Sequence, residues 1–215
     1  MSIILNNIKT HCFKDINLEL KDNEKIAILG ENGVGKTTLL RTILGLVDFE
    51  GQIDILQKSM KVEKDFNSIY SEVAYLFQDS DDSFLTSSVL EEIAFNLYNK
   101  TDNYDFSIKK ALELLEEFNI SQLKEKIPIK LSGGQKRVVA FCACILSNPK
   151  ILLLDEPLND LDEKMKKRVE EKILLYKGSV VLIAHDLEFA KRVCKKIYRL
   201  EKDGLILLKA EDEKI

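Results

Sequence analysis

Positive charge is not in excess in this chain. Its 32 Lys and Arg face 36 Asp and Glu, for a formal net charge of −4 and a pI near 5.4. A nucleic-acid surface needs clustered cations facing phosphates, so nucleic acid is not an expected partner. A local basic pocket for a nucleotide is not excluded. Long apolar runs are missing too. The longest near the middle, Val138 to Leu146, is about half the length an α-helix needs to cross a bilayer. Met1 to Leu5 gives way at once to Asn6 and Asn7, so no signal peptide is expected. Work at a membrane would therefore need docking onto another subunit. The four cysteines, Cys12, Cys142, Cys144 and Cys194, lack metal-type spacing and read as reduced packing residues. Internal repeats, low-complexity tracts, flexible linkers and extended heptads are all absent, which argues against long coiled-coil arms.

What is present is alternation. At 215 residues, with 45% hydrophobic and 32% charged, the chain suits one globular domain of 1–215 with a subdomain inserted. Short strands are predicted over residues 3–9, 16–20, 25–29, 52–56 and 73–77, the last two separated by a polar stretch over 58–71. A glycine-punctuated loop over 30–35 leads into a helix over 36–44, closed by Gly45. From about 87 to 147 the pattern turns helical. Ser88 with Glu91 three residues on resembles a capping box that opens a helix to Tyr98, an amphipathic helix spans 106–118, and a helix apolar nearly all round spans 134–147. Strands over 150–155, 179–184 and 196–200 then alternate with helices over 165–176 and 187–194. That alternation predicts a largely parallel sheet covered by helices.

Gly30-Glu31-Asn32-Gly33-Val34-Gly35-Lys36-Thr37 fits G-x-x-x-x-G-K-[ST], with a strand before it and a helix after. Glycines let successive N–H groups curl inward at phosphate oxygens, and the helix start adds its positive end. Asn32, Gly33, Gly35, Lys36, Thr37 and Thr38 are therefore the candidate phosphate-binding residues. Lys36 is placed for the β- and γ-phosphates and Thr37 for Mg²⁺. Further on, Ile151-Leu152-Leu153-Leu154-Asp155-Glu156 is an aliphatic strand ending in two acids, where ligands of α/β sheets sit. Asp155 suits Mg²⁺, and Glu156 suits a general base polarising water.

Leu131-Ser132-Gly133-Gly134-Gln135 is a second anion cradle, with a hydroxyl, exposed N–H groups and a helix start. At this distance after the phosphate loop, and just before the acidic strand, it resembles the signature of ATP-binding cassette (ABC) proteins over most of the chain. The resemblance implies a P-loop NTPase cassette with a mixed, mainly parallel sheet, an antiparallel N-terminal part and a helical subdomain. It implies Gln78 as the glutamine near Mg²⁺ and the attacking water, and His185 as the γ-phosphate switch. It also makes Asn159 to Asp162 the loop that crosses a dimer interface. Ser132, Gly133, Gly134 and Gln135 would close over ATP held by a second cassette, a homo- or heterodimer partner supplied by another chain. Two departures stand out. Asp160 replaces a commonly small residue, and the region of Lys9 to Phe13 lacks the tyrosine that usually stacks on adenine, leaving His11 or Phe13 as substitutes.

Residues from Gln78 to Phe95, and Gln135 to Val138, resemble ATPases of energy-coupling-factor transporters, including cobalt and nickel importers. That resemblance implies ATP and Mg²⁺ as cofactors, a metal ion or vitamin as cargo, and a place at the cytoplasmic face of the membrane. Asp79, Asp81 and Asp82 beside Phe84 and Leu85 make an acidic rim with apolar anchors, suited to a basic helix of a transmembrane coupling subunit. Another importer or exporter, or a soluble non-transport ABC ATPase, remains the alternative.

Overall fold

The computed structural model describes residues 1–79 and 84–208, and these form two sheets. The first comprises β1 (Ile3–Lys9), β2 (Ile16–Leu20), β4 (Glu50–Ile55) and β5 (Lys58–Met60), in the order β2-β1-β4-β5 and antiparallel throughout. The second comprises β3 (Lys25–Leu29), β6 (Val73–Leu76), β7 (Ile151–Asp155), β8 (Ser179–Ile183), β9 (Lys196–Glu201) and β10 (Gly204–Leu207). Its order is β10-β9-β3-β8-β7-β6. Pairs from β9 through β6 are parallel, and β10 turns back antiparallel on β9.

Period-2 alternation divides the interior into two cores on the faces of the parallel sheet. Leu152, Leu154, Val180 and Leu182 point into one; Ile151, Leu153, Val181 and Ile183 point into the other. The second core also takes Leu39, Leu40 and Ile43 of α1 (Lys36–Ile43), with Ile3, Leu5, Ile53 and Ile55 of the antiparallel sheet. The first core receives α6 (Glu163–Leu175), α7 (Leu187–Val193) and the helical subdomain of α3 (Val89–Thr101), α4 (Tyr104–Glu117) and α5 (Gly133–Leu146). Each fully buried aliphatic side chain contributes roughly 1.5–3 kcal/mol. Helix α5 is buried nearly all round, as its composition demands, because it lies between the sheet and α3. No helix among the described residues is long and apolar enough to cross a membrane.

Three local differences from the sequence reading have physical causes. The polar stretch 58–71 holds β5 and a short helix, α2 (Glu63–Asn67), whose start is fixed by the Asp65 carboxylate accepting from the Lys61 and Val62 N–H groups. Helix α3 runs three residues past Tyr98, until Asp102 adopts a left-handed conformation. The Ser88 box is only half formed. Ser88 Oγ accepts from the Glu91 N–H, but the Glu91 carboxylate accepts from the Ser87 hydroxyl instead of the Ser88 N–H. Neighbouring Glu92 is buried and accepts from the Leu85 and Thr86 N–H groups and the Thr86 hydroxyl, each at 2.9 Å, which fixes the chain entering α3.

Candidate functional site

The loop between β3 and α1 turns on Gly30, Gly33 and Gly35, with φ of 154°, 79° and 109°. At Gly35 the left-handed backbone is the residue before α1, and a Cβ there would lie 2.9 Å from Cys12 Cβ and 3.1 Å from the Phe13 ring. Only glycine fits. Lys36 follows as the first helical residue, and its ammonium donates to the carbonyls of Gly30 (2.8 Å) and Glu31 (2.9 Å). Burial pulls the Lys36 pKa below its usual value, against the opposing pull of the Glu156 and Asp155 carboxylates.

Thr37, on the same helical turn, donates its hydroxyl to Asp155 Oδ2 at 2.7 Å, with Gln78 Oε1 as a second acceptor at 3.3 Å. The Tyr75 hydroxyl also donates to Asp155 Oδ2, at 3.4 Å. Burial is the main cause raising the Asp155 carboxyl pKa, helped by neighbouring Glu156 and opposed by the Thr37 hydrogen bond. Its other oxygen, Oδ1, is buried without a hydrogen-bond partner. A bare carboxylate oxygen beside a threonine hydroxyl and a glutamine carbonyl is a hard, all-oxygen donor set. It fits Mg²⁺, which keeps several waters and takes few protein ligands beside substrate phosphates. No cluster of three or more His, Cys, Asp or Glu suited to a metal occurs among the described residues.

Glu156 leaves the end of β7 with φ 51°, a left-handed conformation that bulky residues adopt only under constraint. The constraint is visible. Its N–H donates to the Ile183 carbonyl at 3.0 Å, and the residue is 8% exposed. His185 Nε2, just past β8, lies 2.6 Å from Glu156 Oε1, while Asn159 Nδ2 donates to Oε2. Two neighbouring parallel strands thus deliver the acid and the histidine to one point, which is why both fall at strand ends in the sequence.

Asn32, Gly33, Gly35, Lys36, Thr37, Thr38, Gln78, Glu156 and His185, together with Cys12, line one cavity of about 440 Å³. Asp155 borders it through Thr37. The signature residues do not join them. Ser132 caps α5, its Oγ accepting from the Gln135 N–H while Gln135 Oε1 accepts from the Ser132 N–H. Gly133 lines a different cleft of about 540 Å³, with Arg41, Gln78, Asp79, Lys136, Arg137 and Asp160. Gly134 is pressed against the main chain of Asp160, which has φ 62°. Within one chain, then, Ser132, Gly134 and Gln135 do not line the phosphate-loop cavity.

Of the two adenine candidates, Phe13 is 1% exposed under Gly35 and has no face to offer, whereas His11 is exposed. Of the acidic rim, Asp81 and Asp82 lie outside the described residues. Phe84 is half-buried against the helical core, while Leu85 is 74% exposed. Tyr75 makes a contact that no motif announced. Asn159, Glu92 and Arg137 fall inside segments read from the sequence, but nothing in those segments told which partners they take.

The comparisons converge. A family model described as ABC transporter matches residues 13–159. An ABC transporter ATP-binding protein of Caldanaerobacter subterraneus subsp. tengcongensis is 39% identical over 198 residues, covering 89% of this chain and 82% of the relative. One of Brucella suis biovar 1 (strain 1330) is 36% identical over 191 residues, covering 89% and 80%. A dimeric ATP-binding cassette in a post-hydrolysis state, bound to ADP and Pi, superposes with a TM-score of 0.86 at 25% identity, covering 99% of this chain and 100% of that one. CbiO1 from Clostridium perfringens, part of the ABC transporter complex CbiONQ, gives a TM-score of 0.80 at 26% identity, covering 95% and 86%. With its two sheets, phosphate loop and signature helix accounted for, this chain belongs to the ABC transporter family, as an ATP-binding cassette.

Proposed function

We propose that the chain binds MgATP in the phosphate-loop cavity and hydrolyses it there, and that this reaction powers a transmembrane partner of the energy-coupling-factor type. The observation that carries the hydrolytic reading is the placement of Glu156. Its carboxylate shares the cavity with the phosphate loop and is held on both oxygens by His185 and Asn159. In that role Glu156 orients and deprotonates the attacking water, which places a base within reach without a mobile side chain. His185 steadies it and faces the γ-phosphate. Lys36 and the N–H groups of Asn32 to Thr38 hold the phosphates, and Gln78 holds the water and cation side of the cavity. When bound, Mg²⁺ would be held by Thr37, with Asp155 and Gln78 through water, and would neutralise charge developing on the phosphates.

Because Ser132, Gly134 and Gln135 lie outside this cavity, they serve an ATP bound by a second cassette, and closure of the two makes the mechanical stroke. The Gln78 to Phe95 sequence and the likeness to CbiO1 favour an importer of a metal ion such as cobalt or nickel, or of a vitamin. The chain then sits peripherally on the cytoplasmic face of the membrane. The exposed Leu85 and the acidic side chains after Gln78 dock a basic helix of the coupling subunit, without any nucleic-acid partner. Lys36→Ala tests the ATP site. It should abolish nucleotide binding measured by fluorescent-ATP titration, together with phosphate release and transport in reconstituted vesicles. Full binding and turnover by this variant would overturn the reading.

A further inference from the structure

Arg137 lies on the first turns of α5, two residues beyond the signature glutamine, and is 3% exposed. A buried guanidinium persists only where its hydrogen-bond demand is met. Here four main-chain carbonyls meet it. Nη1 donates to Phe77 (2.5 Å) and Gln78 (3.1 Å), and Nη2 donates to Glu156 (2.6 Å) and to Asp155. These carbonyls lie at the carboxyl ends of β6 and β7, neighbouring parallel strands. Two of them belong to Gln78 and Glu156 themselves. The Asp155 and Glu156 carboxylates add a favourable field for the cation. Nε has no partner, so the fork of the two Nη groups carries the attachment.

We infer that Arg137 is a positioning residue for hydrolysis, joining the signature helix to the backbone of Gln78 and Glu156 at once. This rests on the hydrolytic role proposed above for Glu156. Arg137 does not line the phosphate-loop cavity and touches no reacting atom; it acts through the two residues it holds. The geometry requires arginine in particular. Adjacent strands stand about 4.8 Å apart, and a planar fork can donate to both strand ends from two nitrogens. An ammonium, as a point donor, reaches one strand end at a time. Any displacement of the signature turn is therefore passed to the loops that bear Gln78 and Glu156, and their side chains are fixed relative to Ser132 and Gly133.

Arg137→Lys and Arg137→Gln, each in the full chain, test this with two independent readouts. In steady-state ATPase assays kcat should fall by about tenfold or more, because a misplaced general base loses rate steeply with distance. KM for ATP should stay roughly unchanged, since the phosphate loop is untouched, and Lys should retain more activity than Gln. In hydrogen-exchange mass spectrometry, protection should drop over 77–79 and 156–159 while 30–38 keeps its wild-type level. Wild-type kcat with wild-type protection in both variants would overturn the inference. So would a uniform loss of protection, or failure of both variants to fold, because Arg137 would then serve the fold at large. Should the wild-type chain itself prove inactive, the hydrolytic reading fails, and the exchange pattern still decides whether Arg137 holds these two loops.

Discussion

Replacing Glu156 by Gln keeps shape and removes charge, which separates catalysis from binding. Glu156 Oε2 accepts a hydrogen bond from Asn159 Nδ2, and Oε1 lies 2.6 Å from His185 Nε2. An amide has a single acceptor oxygen, so its NH₂ must face one of these two nitrogens. Losing one charge-assisted bond costs about 1.5–3 kcal/mol, partly offset because a charge no longer has to be buried. The net cost in stability is therefore small, and the variant should fold. Catalysis responds differently. Removing a positioned general base lowers the rate by roughly 10²- to 10⁴-fold, or about 2.7–5.4 kcal/mol of barrier. The phosphate contacts proposed for Lys36 and the loop N–H groups do not involve this carboxylate, so ATP affinity should remain. Light scattering with ATP should then show accumulation of an ATP-bridged dimer, measured alongside phosphate release. Undiminished hydrolysis by purified Glu156→Gln would refute the general-base assignment, and an ATP-independent monomer would count against closure of two copies.

Three further outcomes follow from the geometry. Gly134→Ala should destabilise the chain by about 1–3 kcal/mol in thermal melts, because its Cβ meets the Asp160 backbone and overpacking outweighs a helix-propensity gain of about 1 kcal/mol; a raised Tm would contradict this. Ser132→Arg should leave the monomer folded yet abolish the ATP-dependent dimer in sedimentation, since charge and bulk replace a helix cap. Asp155→Asn should raise the Tm of chelator-treated protein while abolishing Mg²⁺-dependent turnover. The wild-type carboxyl pKa is raised by burial, so the ionised form destabilises the fold above the ordinary aspartate range. The gain should shrink as pH falls through that raised pKa toward the ordinary aspartate range, and an equal or lower Tm for the variant at pH 8 would defeat the argument.

Much of the cassette was legible along the chain, because its instructions are local. Residues 3–9, 16–20 and 25–29 form strands with the bounds expected from the sequence, 16–20 by its alternation and 25–29 as a compact apolar run. The glycines at 30, 33 and 35 need only a left-handed backbone to declare a turn, and the aliphatic run before Asp155 needs only burial on both faces to declare a central strand. Where long-range partners decide, sequence patterning was silent. Strand β10 forms because β9 offers it an edge, and α2 is set by one Asp65 carboxylate in a stretch without apolar periodicity. Phe13 and His11 are equal candidates in sequence, and only packing under Gly35 buries one and exposes the other. The Glu156–His185–Asn159 contact and the reach of Arg137 across β6 and β7 join residues up to 60 positions apart. Local pattern determines which residues can bear charge at a strand end. The order in which parallel strands lie side by side is a property of the folded sheet, and that order brings Glu156, His185 and Arg137 together.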